Sequence, residues 1–287
     1  MKVYLNGTLV EEDDALLPVQ ERGVLFGDGV FETIRAYQGR PFRLERHLAR
    51  LREGCQVLRL TGIPGDAELE EALASLYREN VGSGDAYVRI TVTGGLFDGT
   101  RTLARSQPPN VFVVVTPFEG YPQEFYQRGL RVAISAARRN ESSPLSRIKT
   151  TNYLDALFAR QEARERGYDD AVFLNTAGFL AEGTTSNLFF VRRDRVCTPR
   201  VDCGILPGIT REAVLELCAK LAMPTEEGFY TVDELLSASE AFLTMSTGEI
   251  VPVAEVDDRS LGPSCPGPVT RRLTDAYHEL VSEELSL

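Results

Sequence analysis

The sequence holds no tryptophan, two histidines, five cysteines and three lysines among its 31 basic residues. Each scarcity removes a class of function. His47 and His278 are too few to build a metal centre, so none is expected. The cysteines, Cys55, Cys197, Cys203, Cys218 and Cys265, are odd in number and form no CxxC pair, which argues against both a disulfide framework and a zinc site. Thiols used this way suit a reducing, cytoplasmic compartment. No run approaches 18 apolar residues, so no membrane span is expected. Met1–Gly7 goes straight into a strand pattern without the apolar core of a signal peptide. There is no basic run, no repeat and no low-complexity tract. A net charge of −11 argues against a nucleic-acid partner.

With lysine so rare, the placement of Lys149 in Ser-Arg-Ile-Lys-Thr-Thr-Asn-Tyr (Ser146–Tyr153) draws attention. It lies between an extended run, Leu130–Ala136, and a helical pattern carrying Leu154, Leu157, Phe158 and Gln161. A lysine at a strand-to-helix junction can be desolvated, which lowers its pKa and frees the amine for Schiff-base chemistry. Taken alone it reads equally as a solvated surface lysine.

The first half alternates short strands with two helices. Asn6-Gly7 between Val3–Leu5 and Thr8–Val10 is a hairpin signal. Val30–Arg35 alternates, with Val30, Glu32 and Ile34 opposed to Phe31, Thr33 and Arg35. Leu44, Leu48, Leu51, Cys55 and Leu58 mark an amphipathic helix, with His47 and Arg50 placed off its apolar stripe. A second helix covers Ala67–Arg78. Ala86–Thr93 sets Tyr87 and Arg89 on one strand face, where they suit a carboxylate or plain solvent. The glycine-rich loop Gly94–Arg101 is expected to be mobile, and Val111–Val115 is a short buried strand. Pro117–Pro122 breaks any regular element, so the domains are placed at 1–117 and 124–287 around a linker at 118–123.

The second half adds strands at Leu130–Ala136, Ala171–Asn175, Asn187–Val191, Ala241–Thr244 and Ile250–Val256. Helices are expected at Leu154–Glu165, at Arg211–Ala222, after the capping-box pattern Thr231–Glu234, and from Val269. Without a strict βαβ rhythm, the class is α+β. Glu182 sits among small polar residues, either in a tight site turn or in an ordinary loop. Leu206-Pro-Gly-Ile-Thr210 leads into a helix whose first amides favour an anion, and it also reads as a common cap. Thr244–Glu249 is a turn or a second set of phosphate and substrate donors.

Six stretches together resemble the class IV, fold type IV, pyridoxal-phosphate enzymes. They are Gly27–Arg35, His47–Leu51, Lys149–Tyr153, Glu182–Asn187, Leu206–Thr210 and Ser246-Thr247, in family order across nearly the whole chain. The resemblance implies a two-domain fold with the cofactor pocket between the domains, a homodimer, and small amino acid and keto acid substrates. It implies that Lys149 is tethered to pyridoxal 5'-phosphate and that Glu182 pairs with the ring nitrogen. Arg50, Ile209, Thr210 and Thr247 would hold the phosphate, with Tyr153 beside the ring or the lysine and Arg138 a further pocket candidate. Phe31, Thr33, Tyr87, Arg89, Arg101 and Ser246 would meet substrate. Tyr87-Val-Arg89 and Phe31 resemble branched-chain aminotransferases. Arg101 matches the first residue of the carboxylate trap of D-amino acid enzymes, whose following histidine is missing. Thr33 is closer to aminodeoxychorismate lyases, which release pyruvate. Transamination of an apolar, branched-chain-like or D-amino acid ranks first and the lyase second. A catalytically idle cofactor-binding protein is the remote third.

Overall fold

The computed structural model describes residues 1–287, and its residue contacts divide the chain into two units. The first comprises Met1–Glu119 with Ile148–Asn152, and the second comprises Gly120–Arg147 with Tyr153–Leu287. No helix is long and apolar enough to cross a membrane.

In the first unit the elements are β1 (Lys2–Leu5), β2 (Thr8–Glu11), α1 (Arg22–Phe26), β3 (Gly29–Tyr37), β4 (Arg40–Pro41), α2 (Leu44–Val57), α3 (Asp66–Asn80), β5 (Ala86–Thr93) and β6 (Asn110–Pro117). The strands form one sheet in the order β2-β1-β6-β5-β3-β4. The β1–β2 hairpin turns at Asn6 and Gly7, both at positive φ, as a two-residue turn between twisted strands requires. Val30 and Ile34 of β3 and Val88, Ile90 and Val92 of β5 face Leu48, Leu51, Leu69 and Leu76 of the helices, and this is the core. The period of two then puts Phe31, Thr33, Tyr87 and Arg89 on the other face. Thr33 lies in register with Arg89, and Phe31 with Thr91.

Lys149 belongs to this unit, not to the second domain as expected from sequence. The cause is an open strand edge. β4 pairs only with Ala36 and Tyr37, so the amides at the start of β3 lack a partner on that side. Ile148–Asn152 supplies one. Phe31 N donates to Lys149 O at 2.9 Å, and Thr151 N donates to Gly29 O at 2.9 Å.

The second unit contains α4 (Gln123–Arg128), β7 (Leu130–Arg139), α5 (Leu154–Glu165), β8 (Asp170–Asn175), β9 (Leu180–Gly183), β10 (Asn187–Arg192), β11 (Arg195–Pro199), α6 (Ile209–Lys220), β12 (Thr225–Gly228), α7 (Val232–Leu236), β13 (Glu240–Met245), β14 (Glu249–Val256), β15 (Arg259–Ser260) and α8 (Pro268–Leu285). β9 pairs with β8 on one side and β10 on the other, which closes β10-β13-β14-β7-β8-β9 into a ring. Side chains of Val132, Val172, Leu188, Phe190, Leu243 and Val251 pack as its core. Glu182 therefore sits on a strand of a closed sheet rather than in a loop, and Glu182–Asn187 is the register pair at the closure.

Two local readings need adjustment. α4 starts inside the segment assigned as linker, with Pro122 as its N-cap and φ already set for a helix start. α1 is a short helix where sequence indicated loop. Glu21 caps its start by accepting from Val24 N, and Gly27 ends it in the left-handed conformation. α5 turns Ala156, Ala159 and Ala163 inward, while Leu154 (80%), Leu157 (55%) and Phe158 (64%) stay exposed.

Candidate active site

In the first unit the candidate residues gather around Phe31. Its ring is buried, and the Lys149 amine stands 4.6 Å from the ring centroid on a half-buried side chain. The Arg89 guanidinium lies 3.8 Å from the same centroid. Both cations stand over the negative face of the ring. Thr33 and Tyr87 are half-buried on this face. The Thr151 hydroxyl and the Asn152 amide both donate to Gly27 O, at 2.8 and 2.9 Å, so the lysine stretch also braces the turn before β3.

Behind this face lies a buried ionic cluster that sequence reading placed wrongly. His47 and Arg50 are not off the buried face of α2; both are buried. The reason is Glu32, which shares the phase of Val30 and Ile34 and is 0% exposed. A carboxylate in that position needs partners. Arg50 Nε and Nη2 donate to its two oxygens, each at 2.7 Å, and His47 Nδ1 lies 2.7 Å from Oε2. Burial alone would raise the Glu32 carboxyl, but the Arg50 charge and hydrogen bonds and the His47 hydrogen bond outweigh it and hold it down at about 2. Burial pushes His47 below its ordinary value despite Glu32, with the Arg50 and Lys149 charges adding to the fall. A neutral His47 that donates to Glu32 carries its proton on Nδ1. A charged residue in register with core positions, with His and Arg three apart on the next helix, was the available sequence signal.

In the second unit a polar row crosses the barrel wall. Glu182, Asn187 and Thr244 are register neighbours on β9, β10 and β13. Asn187 Nδ2 donates to Glu182 Oε2 at 3.3 Å and to Leu206 O at 2.9 Å, while Leu206 N donates to Glu182 Oε2 at 3.0 Å. Arg139 Nη2 pairs with Glu182 Oε1 at 2.7 Å. Arg138, the expected pocket arginine, is exposed and folds back on the carbonyls of Ser135 and Ala136, because β7 alternation sends the two side chains opposite ways. Arg160 of α5 braces the turn after β9. It donates to Asp170 Oδ2 at 3.0 Å and to the Thr185 hydroxyl at 2.8 Å.

Beyond Leu206 the chain enters α6 at Ile209, with Gly208 as N-cap and no side-chain cap on the first amides. Ile209 and Thr210 are buried there. A Cβ on Gly208 would overlap Asn187 Oδ1, so this close approach requires glycine. After β13 comes Ser246-Thr247, with the Thr247 hydroxyl 3.2 Å from Tyr121 OH. Tyr153 is half-buried at the N-cap of α5. Two hydroxyls in this region, Thr244 Oγ1 and Ser186 Oγ, are buried without a hydrogen-bond partner. A helix start with open amides, unsatisfied hydroxyls and a carboxylate backed by an arginine fit a phosphate and a protonated ring nitrogen. Asn187 closes the Glu182–Asn187 motif, whereas Arg139 and Tyr121 had no sequence signal beyond their proximity to the motifs.

Arg101 is exposed in the segment between β5 and β6. Hydrogen bonds run within that segment. Asp98 accepts from Thr100 N at 2.9 Å and from the Ser106 amide and hydroxyl at 2.9 and 2.7 Å.

Residues 29–256 match the family of class IV amino-transferases. A branched-chain aminotransferase from Thermoproteus uzoniensis, solved with norvaline, superposes with a TM-score of 0.91 at 35% identity, covering 98% of this chain and 94% of that one. A D-alanine aminotransferase of Bacillus licheniformis is 33% identical over 99% of this chain and 98% of its own length. An aminodeoxychorismate lyase of Bacillus subtilis is 32% identical over 91% and 88%. The match spans both units, and the motif residues sit on the elements described above. The chain belongs to the class IV aminotransferases, fold type IV enzymes that work with pyridoxal 5'-phosphate.

Proposed function

We propose that this enzyme transaminates apolar, branched-chain-type α-amino acids with an α-keto acid as acceptor. The observation that carries the reading is the Phe31 ring with the Lys149 amine and the Arg89 guanidinium on it. An amine that exchanges, a cation for the substrate carboxylate and an apolar surface beside them describe an apolar amino acid. Thr33, Tyr87, Arg101 and Ser246 complete the substrate-contacting set.

Bound pyridoxal phosphate supplies a carbon that exchanges amines and a ring that accepts the electrons left when the α-proton departs. The chain does the rest. Lys149 would hold the cofactor covalently, and its Nζ, once released, would carry the proton taken from the substrate α-carbon. Glu182, paired with Arg139, is the carboxylate for the pyridinium proton. Arg50, oriented by Glu32, would bind phosphate, as would the Ile209 and Thr210 amides and Thr247. Tyr153 would lie near the ring oxygen or the lysine.

A panel of L- and D-amino acids, a chiral amine and aminodeoxychorismate tests the substrate. Bleaching of the cofactor band by L-valine or L-leucine is expected. Pyruvate and p-aminobenzoate from aminodeoxychorismate, with every amino donor inert, would establish the lyase instead. Glu182→Gln should keep the fold and the phosphate contacts while lowering kcat by about 10²-fold or more, since proton-linked steps contribute on that scale. A variant with wild-type kcat would remove Glu182 from the ring nitrogen.

We further propose a homodimer in a reducing compartment. Its support is the outward apolar stripe of α5 and five free cysteines, of which Cys55 and Cys218 have thiols pushed up by burial to about 12 and about 11. Sizing chromatography should give twice 31.8 kDa, and elution at the monomer mass would refute it.

A further inference from the structure

Lys149 rides on a short stretch. Ile148–Asn152 belongs to the first unit, while the chain before it, to Arg147, and after it, from Tyr153, belongs to the second. Its hold on β3 is one antiparallel bridge, Val30 with Thr150, flanked by the main-chain bonds at Phe31 and Gly29. In that register Thr150 is buried like Val30, and Lys149 shares the face of Phe31. A slip of one residue would turn Lys149 away from the ring and put a neighbour in its place. Two main-chain bonds give so short a strand little resistance to slipping.

Side chains supply the rest of the hold. Thr151 Oγ1 donates to Gly27 O at 2.8 Å and reaches Gly29 O at 3.3 Å, and Asn152 Nδ2 donates to Gly27 O at 2.9 Å. Two consecutive residues thus occupy both lone pairs of one carbonyl. Gly27 ends α1 at φ 65°, and a Cβ there would overlap Asn152 Oδ1. A Cβ on Gly29 would crowd Thr151 Oγ1. Glycine at both places lets the grip close. A shift of one residue would carry both donors off Gly27 O.

We propose that Thr151 and Asn152 are positioning residues: by gripping Gly27 O they fix the register of the lysine stretch on β3 and so keep the Lys149 amine over Phe31. The proposal rests on Lys149 as the residue that takes pyridoxal 5'-phosphate. The same bonds satisfy the carbonyl that ends α1. A cap alone has a different consequence, because weakening α1 and the turn after it would not single out binding that depends on the lysine.

The test titrates the full chain, freed of cofactor by dialysis, with two cofactor forms. Pyridoxal 5'-phosphate binds through the lysine, whereas pyridoxamine 5'-phosphate has no aldehyde and cannot. In Thr151→Val/Asn152→Ala the in-register state is depopulated, and apparent affinity falls in proportion for the form that needs it. Its Kd for pyridoxal phosphate, read by absorbance, should rise about tenfold, the scale of two lost neutral hydrogen bonds. Its Kd for pyridoxamine phosphate should stay within about twofold of wild type. Thr151→Ser, which keeps the hydroxyl, should restore the affinity that Thr151→Val loses. Asn152 is exposed, so Asn152→Ala alone serves if the double variant folds poorly, with a rise of about threefold expected for the pyridoxal form. An equal rise for both cofactor forms, or no rise for either, would overturn the positioning role. So would a Thr151→Ser variant as weak as Thr151→Val. Borohydride trapping of the ring on a residue other than Lys149 in the wild type would instead defeat the reading of Lys149 beneath it.

Discussion

Lys149→Ala is expected to abolish transamination while the protein remains folded. Loss of a positioned proton carrier alone costs about 10²–10⁴-fold, and loss of the covalent anchor adds to it. The fold should survive because the Lys149 backbone, not its side chain, pairs with β3 through the bond from Phe31 N. The amine–ring contact that goes with the side chain is worth about 0.5–1 kcal/mol at partly exposed sites. Lys149→Arg, which keeps the charge over Phe31 but cannot form the Schiff base, should be equally inactive. Borohydride reduction and peptide mapping of the wild type should place the cofactor on the peptide containing Lys149. A tag on another lysine, or turnover by either variant at the wild-type rate, would refute the assignment.

Glu32→Ala should have the largest effect on stability. It strips a carboxylate partner from Arg50 and the acceptor from His47 at a position where the carboxylate itself is fully buried. Breaking a buried pair by deleting one partner costs about 3–5 kcal/mol. Cofactor retention should fall as well, since Arg50 is no longer oriented. A pH series separates charge from packing. The carboxyl is held at about 2 in the folded chain against an ordinary 4.5, so the folded state binds fewer protons than the unfolded state below that value. Its contribution is complete above about pH 5 and is lost as pH falls from 4.5 towards 2. His47, also lowered from 6.5, adds an earlier loss that begins as pH drops through that value. Glu32→Gln should therefore flatten the acid limb of urea-unfolding free energy between pH 4.5 and the acid limit of the measurement. An acid limb of the same slope in wild type and Glu32→Gln would show that the cluster does not carry it.

Neighbouring residues wrote much of this molecule. The Asn6-Gly7 hairpin, the alternation of β3 and β5, the span of α5 and the Thr231–Glu234 capping box all depend on groups within a few positions of each other. The capping box shows both reciprocal bonds that its spacing implies. Six motifs in order were enough to reach the family, because the chemistry of Lys149, Glu182 and the segment before α6 is carried by residue type and local sequence.

What pairing across long stretches of chain settled was different in kind. Ile148–Asn152 joins β3 because β4 is too short to cover it, and no property of the lysine stretch announces that vacancy. Glu182 becomes a strand residue because β9 closes a ring with β10, and Arg139 rather than Arg138 meets it because of the phase of β7. Arg22 and Arg105 converge on Asp28 from 6 and 77 residues away. Local patterning reports which face of an element is apolar, whereas the partner of a buried charge is chosen by whichever distant segment can satisfy it, and that choice exists only once the sheets have assembled.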